Sequence, residues 1–102
     1  MYGVVRRYRF DPQASETIDR HVRIGIMQPI RETPGFIAYY WLDTGDGIGV
    51  SLSVLEDKAG ADEATRRTAD YIHTRVQQLM GEPEITAGVI QAHAPLWGGG
   101  GG

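Results

Sequence analysis

The hydrophobic pattern changes period along the chain, and each change marks an element. Tyr2 to Phe10 mixes β-branched, aromatic and arginine residues and predicts a first strand. Asp11-Pro12 supplies a helix start, with Asp at the N-cap and Pro at the first helical position. Ile18, Val22, Gly25, Ile26, Pro29 and Ile30 then follow helical spacing. Pro29 falls inside that run. Its ring crowds the Gly25 carbonyl and its missing N–H leaves that carbonyl free, so a kink or break is expected between Gly25 and Pro29. Thr33-Pro34-Gly35 closes the helix.

Phe36-Ile37-Ala38-Tyr39-Tyr40-Trp41-Leu42 is apolar or aromatic without interruption. A strand with one buried face alternates apolar and polar residues, so here both faces need cover. Asp46-Gly47 lies between two strand-like runs and predicts a hairpin. The next strand alternates, with Ile48, Val50, Leu52 and Val54 on one side and Gly49, Ser51 and Ser53 on the other. Asp57 caps a second helix running to about Met80, with Ala61, Thr65, Ala69, Ile72, Val76, Leu79 and Met80 as its stripe. Gly81 and Pro83 end it. Ile85 to His93 reads as a last strand.

The order is therefore β-α-β-β-α-β, the split βαβ or ferredoxin-like arrangement of the α+β class, with a four-stranded antiparallel sheet and both helices on one face. The other face is left open. In a monomer it exposes Ile37, Tyr39 and Trp41, or their neighbours, as a patch larger than soluble monomers tolerate. Two sheets packed face to face would cover it, so a homodimer is expected.

Composition narrows the partners. The 102 residues suffice for one domain, placed at residues 1–95. A net charge of −3 argues against nucleic acid, because phosphate binding needs surplus Lys and Arg. The same element order in an RNA-binding module needs aromatics on the third strand, and Ile48 to Val54 has none. Without cysteine there is no disulfide, thiolate chemistry or Cys-ligated metal. No apolar run reaches the ~20 residues of a membrane span, and no apolar signal core follows the start, so a cytoplasmic location is expected. Residues 96–102 end in five glycines, which cost too much backbone entropy to order alone; they read as a disordered end or a cloning remnant.

Tyr8-Arg9-Phe10, Pro34-Gly35-Phe36-Ile37-Ala38-Tyr39, Val50 to Lys58 and Thr86-Ala87-Gly88-Val89 together give the chain a familiar look. Over residues 2–94 it resembles the antibiotic-biosynthesis-monooxygenase-like proteins of the dimeric α/β-barrel superfamily. The resemblance implies a homodimeric barrel with a pocket between sheet and helices. It also implies a choice of activities: cofactor-less oxygenases acting on quinol-like aromatics, haem-degrading oxygenases, small isomerases, and proteins of no known activity. The haem-degrading members carry an Asn on the first strand, a Trp near the start of the second helix and a His on that helix. Here the first strand has no Asn, no Trp lies near Glu56 to Ala61, and only His73 fits its slot. No haem, and no other cofactor, is expected.

Candidate chemistry is sparse. His73, at the edge of the second helix's stripe, is the general-base candidate; a boundary histidine with one hydrogen bond is the plainer alternative. His21 sits likewise beside Ile18 and Val22, and His93 lies near the C-terminus. No two histidines have a local metal spacing, so no metal is expected. Tyr39 and Trp41 share a strand face and could wall a pocket for a small aromatic ligand, or pack at the interface. Arg7 and Arg9 face one way and Arg6 the other; Arg7 is taken as the anion partner, against a plainer role in solvent or across a dimer. A hairpin accounts for Asp43 and Asp46, and helix initiation for Glu56-Asp57. Nucleophile elbows and phosphate loops are absent. Two functions remain: a cofactor-independent monooxygenase-like enzyme acting on a small aromatic or polyketide-like molecule, or a non-catalytic dimeric binding or stress-related module. The discriminating feature is a closed pocket containing an ionisable residue.

Overall fold

The computed structural model describes residues 1–94; the glycine tail lies outside them. Strand β1 is Tyr2–Arg9. A 3-10 turn at Pro12–Ala14 follows, and the Asp11 carboxylate accepts from the Gln13 N–H as its cap. The first helical arm has three parts: α1 (Ser15–His21), a π-helical turn (Val22–Ile26) and α2 (Met27–Arg31). Strands β2 (Phe36–Asp43) and β3 (Ile48–Leu55) form the hairpin. The second arm is α3 (Lys58–Tyr71), capped by the Asp57 side chain on the Gly60 N–H, and a π-helical turn (Ile72–Val76). Strand β4, Glu84–Val89, ends earlier than its apolar run implied.

The first arm does not break at Pro29. The chain widens one turn earlier, where the Met27 N–H donates to the Val22 carbonyl five residues back. A π turn absorbs the register fault that a missing donor creates. The Pro29 carbonyl gains external donors, the Thr33 hydroxyl at 2.9 Å and the Arg67 guanidinium at 3.1 Å. The arms cross closely at Gly25. A Cβ there would lie 2.0 Å from the Tyr71 hydroxyl, so the crossing needs glycine.

The sheet order is β2-β3-β1-β4, with every neighbouring pair antiparallel. This is the expected ferredoxin-like α+β arrangement. Register sorts the faces, since paired residues point to the same side. Arg6 pairs with Ser51 and Trp41 pairs with Ser51 on its other side, while Tyr8 pairs with Gly49. Val4, Arg6, Tyr8, Tyr39, Trp41, Ser51 and Ser53 therefore face the helices. Between them and the arms sits the main core of Tyr8, Ile18, Val22, Ile26, Ile30, Ile72, Val76 and Met80.

Register decides which of the alternatives along β2 faces outward. Tyr39 and Trp41 turn inward, so the open face carries Tyr40 and Leu42 instead, 63 % and 60 % exposed. They pair with Leu52 and Val50, which makes the apolar edge of β3 the outward one. The reason is volume: the small face of β3 leaves room beneath the helices for large side chains of β1 and β2. A Cβ on Gly49 would meet the Trp41 ring at 2.3 Å. Phe36 does not share the Tyr40 face, where strict alternation along β2 would put it. A register shift between Phe36 and Ala38 pairs Phe36 with Leu55 and turns it into the core.

Candidate functional site

A cavity of about 260 Å³ lies between β1, the start of β4 and the second helical arm. Arg6, Tyr8, Thr68, Ile72 and Met80 form its buried floor and walls; His73, Gln77, Gly81 and Glu82 form an exposed rim. The volume falls just below the ~300–1,000 Å³ range of drug-sized small-molecule sites. The second arm supplies most of the wall: Thr65, Thr68 and Ala69 come from α3, and Ile72 and His73 from its π turn. Such turns are frequent at functional sites.

Arg6 dominates the electrostatics. It is 1 % exposed, and it is held by two neutral oxygens: Nη1 donates to the Ser53 hydroxyl at 2.8 Å and Nη2 to Thr65 at 2.7 Å. Its Nε has no partner among the described residues. No carboxylate neutralises it there either. Asp19 receives the Trp41 indole, Glu63 receives Arg66 and Arg67, and Glu84 receives Arg7. An isolated buried charge costs several kcal/mol. Burial pulls the guanidinium pKa down, opposed by the Tyr8 and Tyr39 phenols; an arginine nonetheless stays charged. Burial also pushes the Tyr8 phenol up, and the Tyr39 phenol up to about 12.

The structure separates the residues singled out by sequence. His73 reaches the cavity, at its rim, with Nε2 3.6 Å from a Glu82 carboxylate oxygen. Arg7 does not. It points to the open sheet face and forms a 2.9 Å ion pair with Glu84, because it alternates with Arg6 along β1. The arginine that lines the cavity is Arg6. The signal was present: Val4, Arg6, Tyr8 and Phe10 share one parity, so Arg6 lies on the apolar, helix-facing side.

Tyr39 and Trp41 face inward but lie behind the cavity rather than along it. The Trp41 indole donates to Asp19 at 2.8 Å, with ring centroids 6.0 Å from Tyr8 and 6.5 Å from Phe10. His21 also stands apart, its Nδ1 2.9 Å from the Tyr71 hydroxyl; His93 is exposed. No cluster of three or more His, Asp or Glu among the described residues could hold a metal. Nor is any described helix long and apolar enough to cross a membrane.

With this geometry established, known structures give the fold a setting. The chain carries the antibiotic-biosynthesis-monooxygenase-like fold. A protein of unknown function from Nitrosomonas europaea superposes with a TM-score of 0.78 at 15% identity, over 95% of each chain. SnoaB, a cofactor-independent oxygenase from Streptomyces nogalater, matches at 0.68 and 17% identity, over 92% of this chain and 96% of its own. A structure described as an antibiotic biosynthesis monooxygenase matches at 0.66 and 20% identity, over 91% and 99%. No protein-family model and no curated protein matches the chain by sequence. At these identities the likeness extends to the fold, which hosts more than one activity.

Proposed function

We propose that the chain is a cofactor-independent monooxygenase-like enzyme, a cytoplasmic homodimer acting on a small aromatic or polyketide-like molecule held in the cavity. One observation carries this reading: the cavity is walled by apolar side chains yet floored by a buried, unneutralised guanidinium. A packing core has no use for such a charge. A site that stabilises a substrate anion does.

In chemistry of this type a substrate CH₂ next to a carbonyl or phenol loses a proton, and the carbanion reduces O₂. A C–O bond forms, the O–O bond breaks, and the CH₂ becomes C=O while the second oxygen leaves as water. The chain's part is to position and to stabilise charge. His73 takes the proton at the rim, with Glu82 beside it. Arg6 faces the developing anion. Tyr8 forms the wall, and Trp41 and Tyr39 hold that wall from behind. Arg7 is left to the β4 edge and the open face. That face, with Tyr40, Leu42, Val50 and Leu52, is assigned to the partner subunit, and the resemblance to dimeric barrels supports the assignment.

A second reading, a non-catalytic dimeric small-molecule-binding or stress-related module, has one observation in its favour. His73 is 57 % exposed, outside the dry part of the cavity. Oxygen uptake by purified, metal-free protein separates the two. Naphthols and dihydroxynaphthalenes, two-ring compounds whose keto tautomers carry that CH₂, are suitable substrates. The enzyme reading expects uptake that His73→Ala reduces at least tenfold. Binding without uptake across the panel would favour the module.

A further inference from the structure

Resting on that reading of the cavity, we infer that its ligand is an organic oxyanion, a carboxylate or an ionised enol on a flat apolar body, bound with its charge toward Arg6.

The floor and the walls make different demands. Ile72, Met80, Ala69, Pro83 and the Tyr8 ring present apolar surface suited to a flat hydrocarbon body. Arg6 presents a full positive charge that water hardly reaches. Its two partners are hydroxyls, which orient a guanidinium without neutralising it. The Thr68 hydroxyl is occupied by the Ala64 carbonyl at 2.9 Å and leaves the charge alone. The one acid on the cavity's lining among the described residues, Glu82, sits at the exposed rim and faces His73. A neutral ligand filling this space would deepen the desolvation of Arg6 and return nothing for it. An oxyanion supplies the missing counter-charge in a low-dielectric site, where charge-assisted hydrogen bonds are strongest. Guanidinium geometry favours planar oxyanions with two acceptor atoms or an adjacent carbonyl. The small volume restricts the body to one or two fused rings.

Isothermal titration with two matched pairs tests this. One pair is 1-naphthoate against 1-naphthamide; the other is 2-hydroxy-1,4-naphthoquinone, ionised at neutral pH, against its 2-methoxy ether. The pairs separate the carboxylate source of the charge from the enolate source. At least one anion should bind wild-type protein tenfold or more tightly than its neutral partner. Arg6→Gln should then lower that anion's affinity by about ten- to a hundredfold and leave the neutral compound unchanged. Arg6→Lys should recover part of the loss. Thr65→Val should weaken the anion alone, as Thr65 is a positioning residue, with rescue by Thr65→Ser.

The wild-type comparison requires no variant, so a poorly folded Arg6→Gln protein leaves it decisive. If neither anion outbinds its neutral partner, or if a folded Arg6→Gln protein binds the anion within twofold of wild type, the inference is overturned. The enzyme reading fails separately. Arg6-dependent anion binding without oxygen uptake keeps the anion site and removes the oxygenase. Oxygen uptake with no anion preference does the reverse.

Discussion

Trp41 tests whether the inner aromatic layer is scaffold or ligand wall. Its ring lies over Gly49 and against Tyr8 and Phe10, and its N–H is given to Asp19 across to the first arm. Trp→Ala in a core costs ~3–5 kcal/mol. Trp41 is only half-buried, which lowers that figure, while the lost bond to a carboxylate adds to it, so about 3 kcal/mol is expected overall. At ~4–8 °C per kcal/mol for a chain of this size, Trp41→Ala should melt about 12–24 °C lower. Trp41→Phe keeps the ring contacts, loses the N–H, and should cost about 1 kcal/mol. Circular dichroism melts at one fixed protein concentration read these values. The same variants, titrated with 1-naphthoate below their melting points, should keep their affinity within about threefold, since an indole behind the wall touches no ligand. A Trp41→Ala protein that melts like wild type but has lost its ligand would refute this reasoning and return the residue to the pocket wall.

Three further outcomes are expected. Light scattering across micromolar dilutions should give about twice the 11.2 kDa chain mass, and Tyr40→Glu with Leu42→Glu should halve it by placing charge on the apolar open face; a wild-type monomer at every concentration would sink the dimer. Gly25→Ala should destabilise by ~1–3 kcal/mol through overpacking against Tyr71, and most of that cost should vanish in a Tyr71→Ala background. Stability should also fall with alkali. The Tyr39 phenol is held up to about 12 against an ordinary value of 10.0, so the folded state keeps a proton that the unfolded chain releases. Its contribution is full below pH 10 and declines between 10 and 12, and Tyr39→Phe should shallow that decline in urea titrations; an unchanged slope would show that the phenol does not titrate as the structure implies.

The element order was legible because the strongest signals were local. Asp11-Pro12, Asp57 and Pro34-Gly35 each act through backbone chemistry that a neighbouring residue reveals, whereas the second arm stops at Val76, short of the Gly81 that its stripe led to. The faces of the sheet were harder to assign. The alternation of β3 pointed to Ile48, Val50 and Leu52 as one side, but hydrophobicity alone does not say which side meets the helices. Here the small side does, because Trp41, Tyr39 and Arg6 need the space. The bulge after Phe36 added a one-residue slip that no residue type advertised. Arg7 was named as the anion partner and Arg6 passed over, although Arg6 shares the parity of Val4, Tyr8 and Phe10; a buried arginine without an acid runs against the ordinary prior. His73 lies at the cavity rim because the edge of a helical stripe is where a polar side chain can approach a cavity. The π turns left no local mark beyond Pro29 in the first arm.

The most direct test is to map where a small ligand touches the protein in solution. Backbone and side-chain NMR spectra of isotope-labelled protein, recorded during a 1-naphthoate titration, give that map. Saturable shifts are expected at Arg6, Thr65, Thr68, Ile72, His73 and Met80, the residues that line the cavity, with little change at Tyr40, Leu42 and Leu52 on the opposite sheet face. Shifts confined to the open face, or the absence of any saturable shift, would contradict the assignment of this cavity as the functional site.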